Sequence, residues 1–324
     1  MMVPYTLLQE AETRISSHIH KTPLTYDSNQ DFYIKWENHQ INGSFKIRGA
    51  FNKVLSLQPK EQERGLVAAS AGNHGQGVAL AGKVVGVPVT VFASENATPT
   101  KIHAMRDLGA TVHLVPGGYA EAEKAGKRYA AAHDAAWISP YNDEQVIAGQ
   151  GTLGIETLKE LPYLSSCVWI VPVGGGGLIS GIGIAIKSTT SYKQNLETAQ
   201  LIGVQSQASP FFHAIYHLGT QEDTVELPSL ADGLSGPLEA HSLTIPLVLN
   251  YVDDLILVSE REIAQAVAYA WEVYGERIEG SAATPLAAVI SGKISNRPAV
   301  IIISGGNIQP EVHAEIIQHY GHHP

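Results

Sequence analysis

Short apolar runs recur along the chain, and the intervals between them leave room for a helix. Four runs fall in the first half, at residues 66–70, 89–93, 111–115 and 135–139, and four in the second, at 168–173, 201–205, 255–259 and 299–304. Runs of this length, each followed by a helical pattern or a loop, are typical of parallel strands joined by right-handed crossovers. The pattern predicts an α/β protein with two open, mainly parallel, twisted sheets flanked by helices.

The grouping of these runs predicts two domains. Residues 61–144 are predicted to form a small α/β domain, while residues 1–60 and 145–324 together form a larger, discontinuous one. A chain of 324 residues with 44% hydrophobic side chains is long enough to bury a core in each of two lobes.

Charge and cysteine content narrow the class of protein. The formal net charge of −10, without a basic stripe or tail, argues against nucleic acid or an anionic membrane as a partner and favours a small molecule. A single cysteine, Cys167, excludes an internal disulfide framework and a site with several thiolate ligands. It fits a reducing compartment, and the N-terminus lacks the pattern of a secretory signal, so we expect a cytoplasmic protein.

One uncharged segment, residues 167–186, has the length of a membrane span. Its glycines and Pro172 make it a poor span, because they interrupt a continuous helix. We expect the segment to divide into a buried strand at 168–173, a glycine loop, and a helix from about Leu178.

Lys46 lies at the start of a predicted helix. Asn42 and Gly43 indicate a turn, Ser44 is a suitable N-cap, and apolar residues then follow with helical spacing at Ile47, Ala50, Phe51, Val54 and Leu55. The positive end of the helix dipole and apolar neighbours would both lower the pKa of Lys46, giving a neutral, nucleophilic amine. The alternative is a lysine whose ammonium reaches solvent, as is usual for this residue type.

Four consecutive glycines, Gly174 to Gly177, end the predicted strand 168–173 and precede a helix. Their backbone N–H groups can point at one centre, to which the helix dipole adds, so the loop suits a phosphate. The loop fits neither the Walker nor the dinucleotide pattern. The alternative is that the glycines serve only close packing of helix on sheet.

Two further loops follow predicted strands. "SAGNHGQG" at residues 70–77 places small residues and the Asn73 amide at the carboxyl end of a strand, where a carboxylate would fit. His74 could act in catalysis, although a lone histidine in such a turn is more typically a structural hydrogen-bonding group. "SGGN" at 304–307 offers Ser304 as a helix cap or as a ligand for a heteroaromatic nitrogen.

Seven motifs occur together in one order. They are NGSFKIRGA, SAGNHGQGVA, GQGT, VPVGGGGL, ADG, EGSAA and SGGN. In this order the set resembles the threonine/serine dehydratase and serine racemase family of fold-type II pyridoxal-phosphate enzymes. The resemblance implies pyridoxal 5'-phosphate in the cleft between two domains, a small amino-acid substrate and a homodimer.

The resemblance also implies a role for individual residues. Lys46 would carry the cofactor on its amine and act as the catalytic base, and Phe45 would pack against the ring. The remaining cofactor ligands would be Asn73 at the ring hydroxyl, Ser304 at the ring nitrogen, and Gly174, Gly175, Gly176, Gly177 and Leu178 at the phosphate. The substrate carboxylate would be received by the segment Ser70, Ala71, Gly72, Asn73 and His74.

Two departures from the family pattern favour dehydration over racemisation. Racemases of this group resemble Ser-Ser-Gly-Asn-His, in which the second serine is an acid–base group, whereas this chain has Ala71 and no proton to give there. They also place a metal-binding glutamate where this chain has Gln205. We therefore expect elimination and no metal site of that type.

The substrate is less sharply defined. "PYNDEQ" replaces the commoner Pro-Phe-Asp-Asp and puts Tyr141 near the active-site entrance, as a substrate contact or as a core tyrosine. L-Threonine or L-serine is the leading expectation. Another β-hydroxy amino acid, such as 3-hydroxyaspartate or a hydroxyectoine-derived compound, stays open, as do a serine racemase and, least favoured, a non-catalytic amino-acid-binding protein.

Overall fold

The strands of the computed structural model, which describes residues 3–191 and 199–321, form two sheets. In chain order the strands are β1 (Leu24–Asp27), β2 (Phe32–Trp36), β3 (Leu66–Ala69), β4 (Val89–Ser94), β5 (Thr111–Val115), β6 (Ala136–Trp137), β7 (Val168–Pro172), β8 (Gln200–Ser206), β9 (Asp254–Val258) and β10 (Ala299–Ile303). One sheet has the order β1-β2-β10-β7-β8-β9 and the other β5-β4-β3-β6. Each apolar run that predicted a strand overlaps one of these strands.

Strand direction confirms the α/β prediction. In the six-stranded sheet only β1 is antiparallel, to β2, while β2, β10, β7, β8 and β9 pair in parallel. The four-stranded sheet is parallel throughout. Strands β7 and β10 are buried along their whole length, as expected of strands covered on both faces.

The pattern of apolar residues was less informative at two places. The hairpin of β1 and β2 was not predicted, because β1 has half-buried ends and an exposed middle rather than an apolar run. The run 135–139 forms only the two-residue strand β6, which pairs with β3 through Ala136 and Trp137. Alanine has a weak preference for strands, and this fits the short pairing.

Helices cover the sheets. They are α1 (Tyr5–Ile15), α2 (Lys46–Ser56), α3 (Pro59–Glu63), α4 (Asn73–Val85), α5 (Pro99–Asp107), α6 (Tyr119–His133), α7 (Glu144–Glu160), α8 (Gly177–Ser191), α9 (Phe211–Leu218), α10 (Thr244–Tyr251), α11 (Glu260–Tyr274), α12 (Gly280–Ile290) and α13 (Pro310–Tyr320). Short 3-10 turns occupy Glu37–His39, Pro162–Ser166 and Asp232–Leu234. Segment 167–186 divides into β7, a loop and α8, as predicted. Within the described ranges, none of the helices is both long and apolar enough to cross a bilayer.

Helices α2, α7 and α8 approach one another closely through glycines. A Cβ atom at Gly149 would lie 2.6 Å from the carbonyl oxygen of Arg48, and one at Gly181 would lie 2.5 Å from the backbone nitrogen of Gly151. Any larger residue at these contacts would push the helices apart. The close packing fixes the start of α2 relative to the glycine loop that precedes α8.

A buried network of ion pairs holds α2 against the neighbouring elements. Arg48 is fully buried and donates two hydrogen bonds to the Glu37 carboxylate, at 2.7 and 2.8 Å, and a third to Glu156 at 2.9 Å. Lys35 on β2 reaches the other oxygen of Glu156 at 2.6 Å. Burial alone would raise the pKa of Glu156, but Arg48 and Lys35 outweigh it and hold that pKa below its ordinary value. The network ties α2 to β2 and α7.

Candidate active site

Two loops that were predicted to carry ligands are hydrogen-bonded to each other. The backbone N–H of Phe45 donates to the carbonyl of Ser304 at 3.0 Å, and that of Gly306 donates to the carbonyl of Gly43 at 2.9 Å. Ser44 and Gly305 form an isolated antiparallel bridge between these contacts. The start of α2 is therefore held beside the carboxyl end of β10.

Lys46 lies in the first turn of α2, as predicted, but the helix begins at Lys46 itself, one residue later than an N-cap at Ser44 implies. The N-cap is Phe45, which already has helical backbone angles, and its side chain makes no capping hydrogen bond. The Ser44 hydroxyl nevertheless accepts a hydrogen bond from the Lys46 N–H at 3.2 Å. It satisfies one of the helix N–H groups that have no partner within the helix.

The Lys46 side chain turns into the protein rather than out to solvent. Its Nζ donates to the carbonyl of Pro140 at 3.1 Å and lies 5.3 Å from the centre of the Phe45 ring. Burial lowers the pKa of Lys46 to about 8, although the nearby Glu279 carboxyl opposes this shift. A lowered pKa increases the fraction of neutral amine at a given pH, so the interpretation of Lys46 as a nucleophile is favoured over a solvent-facing lysine.

The reactivity of Lys46 should follow this pKa. In cofactor-free protein, the rate of covalent uptake of pyridoxal phosphate is expected to rise with pH around a midpoint near 8. The neutral amine predominates above that pH and the unreactive ammonium below it. Stopped-flow absorbance from about pH 6 to about pH 11.5, a range that includes the ordinary lysine value, would measure the profile, with the Lys46→Ala variant as the blank. A midpoint at the ordinary lysine value of about 10.4 would contradict the buried environment.

The glycine loop forms a cradle that leaves no room for side chains. Gly176 has φ +83°, and a Cβ atom there would lie 2.5 Å from the Phe212 ring. At Gly175 a Cβ atom would lie 2.4 Å from the ring of Tyr141. The loop leads into the N-terminus of α8, where free N–H groups and the helix dipole favour an anion. These features fit a phosphate group.

Tyr141 packs on this cradle. The side chain is 9% exposed, and its hydroxyl accepts a hydrogen bond from the backbone N–H of Glu239 at 3.0 Å. Burial raises the pKa of Tyr141, so its hydroxyl stays neutral. Its ring thus shapes the glycine loop, and its contact with substrate stays a prediction.

The loop from Ser70 to Asn73 is open on one side. The Ser70 hydroxyl accepts from the Gly72 N–H at 3.1 Å, and a Cβ atom at Gly72 would meet nothing within 4 Å. Helix α4 starts at Asn73, so its first N–H groups have no partner within the helix. Free N–H groups beside open space suit the carboxylate that was predicted to bind here.

His74 is a buried, neutral hydrogen-bonding group. Its Nε2 lies 2.9 Å from the carbonyl oxygen of Ile138, which can only accept, so Nε2 carries the proton and Nδ1 is a lone-pair acceptor. Burial, reinforced by the charge of Lys46, lowers the pKa of His74 to about 3. The side chain cannot donate to a carboxylate in this state. The predicted contact is left to the backbone N–H of His74.

Asn73 joins a polar chain that sequence reasoning did not find. Its Nδ2 donates to Glu279 Oε1 at 2.7 Å, and its Oδ1 accepts from Asn307 Nδ2 at 2.8 Å. Burial raises the pKa of Glu279 to about 7, and Asp232 adds to the shift, while Lys101, Asn73 and Lys46 oppose it. The two new residues, Glu279 and Asn307, lie in the noted motifs EGSAA and SGGN, but the sequence analysis gave neither residue a role. An acidic residue directly before the apolar helix α12 was the available signal.

Ala71 and Gln205, the two residues that disfavour racemisation, both make structural contacts. Ala71 packs its methyl group against the apolar cluster of the four-stranded sheet. Gln205 is buried, and its Oε1 accepts from the His213 N–H at 2.7 Å. In the part of the chain that the structure covers, no three His, Cys, Asp or Glu side chains are grouped to hold a metal ion.

Comparison with known proteins identifies the family. Residues 15–305 match the model of the pyridoxal-phosphate dependent enzymes, and the chain belongs to that family. It is 41% identical over 323 residues to a protein of Thermotoga maritima named L-threonine ammonia-lyase, covering 98% of this chain and 78% of that protein.

Solved structures of similar proteins have the same fold. A threonine deaminase isoform of Solanum lycopersicum superposes with a TM-score of 0.88 at 28% identity, covering 98% of this chain and 93% of that one. Maize serine racemase gives a TM-score of 0.86 at 29% identity, covering 98% and 99%. The chain therefore has the fold of the fold-type II pyridoxal-phosphate enzymes, and its cofactor is pyridoxal phosphate.

Proposed function

We propose that this chain is a threonine ammonia-lyase, which converts L-threonine to 2-oxobutyrate and ammonia, and L-serine to pyruvate and ammonia. The observation that carries the proposal is the partly buried Lys46 side chain at the N-terminus of α2, whose amine donates to the Pro140 carbonyl and has a lowered pKa. This chain is similar over nearly its whole length to the L-threonine ammonia-lyase of Thermotoga maritima, and that similarity supports the same reaction here.

The residues around Lys46 fit the cofactor. Gly174 to Gly177 and Leu178 would hold its phosphate, since the cradle excludes side chains and ends at a helix N-terminus. Asn73 would bind the ring hydroxyl and Ser304, which is 3% exposed at the end of β10, the ring nitrogen. Phe45, which is partly buried, would contact the ring.

The chemistry divides between cofactor and protein. When bound, pyridoxal phosphate supplies an electron sink for the α-carbon of the substrate. The N–H groups at the start of α4 would hold the substrate carboxylate, orienting the α-proton toward Lys46. The neutral Lys46 amine would take that proton, and the β-hydroxyl would leave with a proton as water. The released enamine would then tautomerise to an imine, which water hydrolyses to a 2-oxo acid and ammonia.

Ala71 supports elimination over racemisation. Inversion at the α-carbon needs a second acid–base group that delivers a proton to the opposite face, and a methyl group has none. His74 does not replace it, because its Nε2–H is committed to Ile138 and its pKa is about 3. Lys46 is therefore the base that the proposal assigns to the α-carbon.

Absorbance and product assays together test the proposal. Purified protein is expected to show an absorbance band at the edge of the visible range, and L-threonine should change the band while 2-oxobutyrate accumulates. A band without oxo-acid release from L-threonine or L-serine would contradict the substrate, and 3-hydroxyaspartate and other β-hydroxy amino acids would be tried next. Formation of D-serine at a rate rivalling ammonia release would favour the racemase.

The division into domains at residues 61–144, the homodimer and the cytoplasmic location stay predictions from the sequence. A small amino-acid substrate agrees with the named activities of the relatives.

A further inference from the structure

A chain of hydrogen bonds fixes the orientation of the Asn73 amide. The backbone carbonyl of Asn42 accepts from Asn307 Nδ2 at 2.9 Å, and the same Nδ2 donates to Asn73 Oδ1 at 2.8 Å. Asn73 Nδ2 then donates to Glu279 Oε1 at 2.7 Å. The chain connects the loop before Lys46, the loop after β10, the start of α4 and the start of α12.

Each link in this chain has one possible direction. A backbone carbonyl can only accept, so Asn307 must turn its NH2 group toward Asn42. The same NH2 group faces Asn73, which must therefore present its oxygen. The Asn73 NH2 group then faces Glu279, and a carboxylate accepts it. One N–H of Asn73 is used by Glu279, and the second is left for another acceptor.

Backbone contacts with the loop after β10 place the Glu279 side chain beside Asn73. Glu279 is the N-cap residue of α12, but its side chain makes no hydrogen bond to that helix. Its backbone N–H donates to the carbonyl of Gly305 at 3.2 Å, and a Cβ atom at Gly305 would lie 2.6 Å from Glu279 Oε1. Only a glycine at position 305 leaves space for the carboxyl. The two loops are thus shaped around a carboxylate that serves Asn73.

We propose that Glu279 and Asn307 are positioning residues, which hold the Asn73 amide so that its free N–H points to the hydroxyl oxygen of the cofactor ring. The inference rests on the proposed role of Asn73 as ligand of that hydroxyl. It assigns a purpose to two residues that touch neither phosphate nor substrate in the proposed function.

The chemistry of this series of hydrogen bonds explains why a carboxylate, that of Glu279, is the partner of the Asn73 amide. Above its pKa of about 7, Glu279 is a negatively charged acceptor, and such an acceptor makes a stronger hydrogen bond with the amide than a neutral one does. Chained hydrogen bonds also polarise one another, so the second N–H of Asn73 becomes a better donor. A better donor at the ring oxygen favours its deprotonated form. Loss of Glu279 should therefore shift the pH at which the absorbance of bound cofactor changes.

A double-mutant cycle tests whether Glu279 acts through Asn73. Cofactor-free proteins are titrated with pyridoxal phosphate, and the Kd is read from absorbance, together with the pH profile of the bound cofactor. We expect Glu279→Ala, Asn307→Ala and Asn73→Ala each to raise the Kd by about 10-fold, the usual effect of losing one such hydrogen bond. In the Asn73→Ala background, Glu279→Ala is expected to change the Kd by less than about 2-fold, because its partner is already gone.

Controls separate positioning from folding. Glu279→Gln keeps an acceptor oxygen and is expected to keep the Kd within about 3-fold of the parent, while shifting the pH profile. The exposed Glu10→Ala serves as the matched surface control, and thermal unfolding of cofactor-free protein checks each variant. If Glu279→Ala does not fold, Asn307→Ala is combined with Asn73→Ala in the same double-mutant cycle.

Three results would overturn the inference. Additive effects of Glu279→Ala and Asn73→Ala would show that Glu279 does not act through Asn73. A Glu279→Gln variant as weak as Glu279→Ala would show that charge, and not orientation, is what Glu279 supplies. An Asn73→Ala variant with unchanged Kd and pH profile would instead refute the proposed role of Asn73 and with it the inference, while leaving the lyase proposal to the oxo-acid assay.

Discussion

Replacing Lys46 with alanine is expected to abolish 2-oxo acid release from L-threonine and to remove the visible absorbance band of bound cofactor. Lys46 supplies both the covalent attachment and the base for the α-proton in the proposed function. Loss of a general base alone costs roughly 10²- to 10⁴-fold in rate, so we expect a fall of at least about 10³-fold. A coupled assay for 2-oxobutyrate, with an absorbance spectrum of the same sample, would measure both effects.

The Lys46 experiment has a matched control in Lys60→Ala. Lys60 is exposed on the short helix α3, so its variant should keep both activity and spectrum. A Lys46→Ala protein that retains the band and most of the rate would refute the assignment of Lys46. A variant that binds the cofactor without covalent attachment and is inactive would agree with it.

Strands β3, β7 and β10 were predictable because they are buried along their whole length. Burial on both faces requires a continuous apolar run, which is visible in the sequence at β7 and β10. Strand β1 lies at the edge of its sheet with exposed central residues, and the sequence gives no such run there. The two-strand hairpin was therefore the part of the sheet that the pattern could not predict.

Local signals in the site were likewise predictable, and long-range partners were not. The start of α2 at Lys46 and the glycine loop follow from neighbouring residues. The partner of Asn73, Glu279, is 206 residues away, and Asn307 is 234 residues away. His74 was predicted to be a structural group, but its acceptor, the carbonyl of Ile138, depends on how β6 pairs with β3.

The partners in the buried network of ion pairs likewise could not be predicted from the sequence. Lys35 stands in β2 between apolar residues, where its sequence position gives no sign of a charge partner. The structure places it against Glu156 on α7, which also contacts Arg48 on α2. Because α2 carries Lys46 at its first residue, this network links the stability of the fold to the placement of the amine.

The Arg48→Met variant is expected to lower the free energy of unfolding by about 3–5 kcal/mol, the usual cost of removing one partner of a buried ion pair. Arg48 and Glu37 are both 0% exposed, and Arg48 donates to two oxygens of Glu37. Methionine has a similar length and fills part of the space, but it leaves the Glu37 carboxylate buried without its cation. Urea denaturation of cofactor-free protein would measure the loss.

Arg106→Met gives the matched control, because Arg106 is exposed on α5 and the same change there should have little effect. Adding Glu37→Gln to Arg48→Met removes the uncompensated charge and should recover part of the lost stability. A single variant within about 1 kcal/mol of the Arg106 control would show that the network does not stabilise the fold, since exposed charges contribute only that much. If stability falls and the double variant recovers part of it, compensation of the buried Glu37 charge by Arg48 is what stabilises the fold around α2.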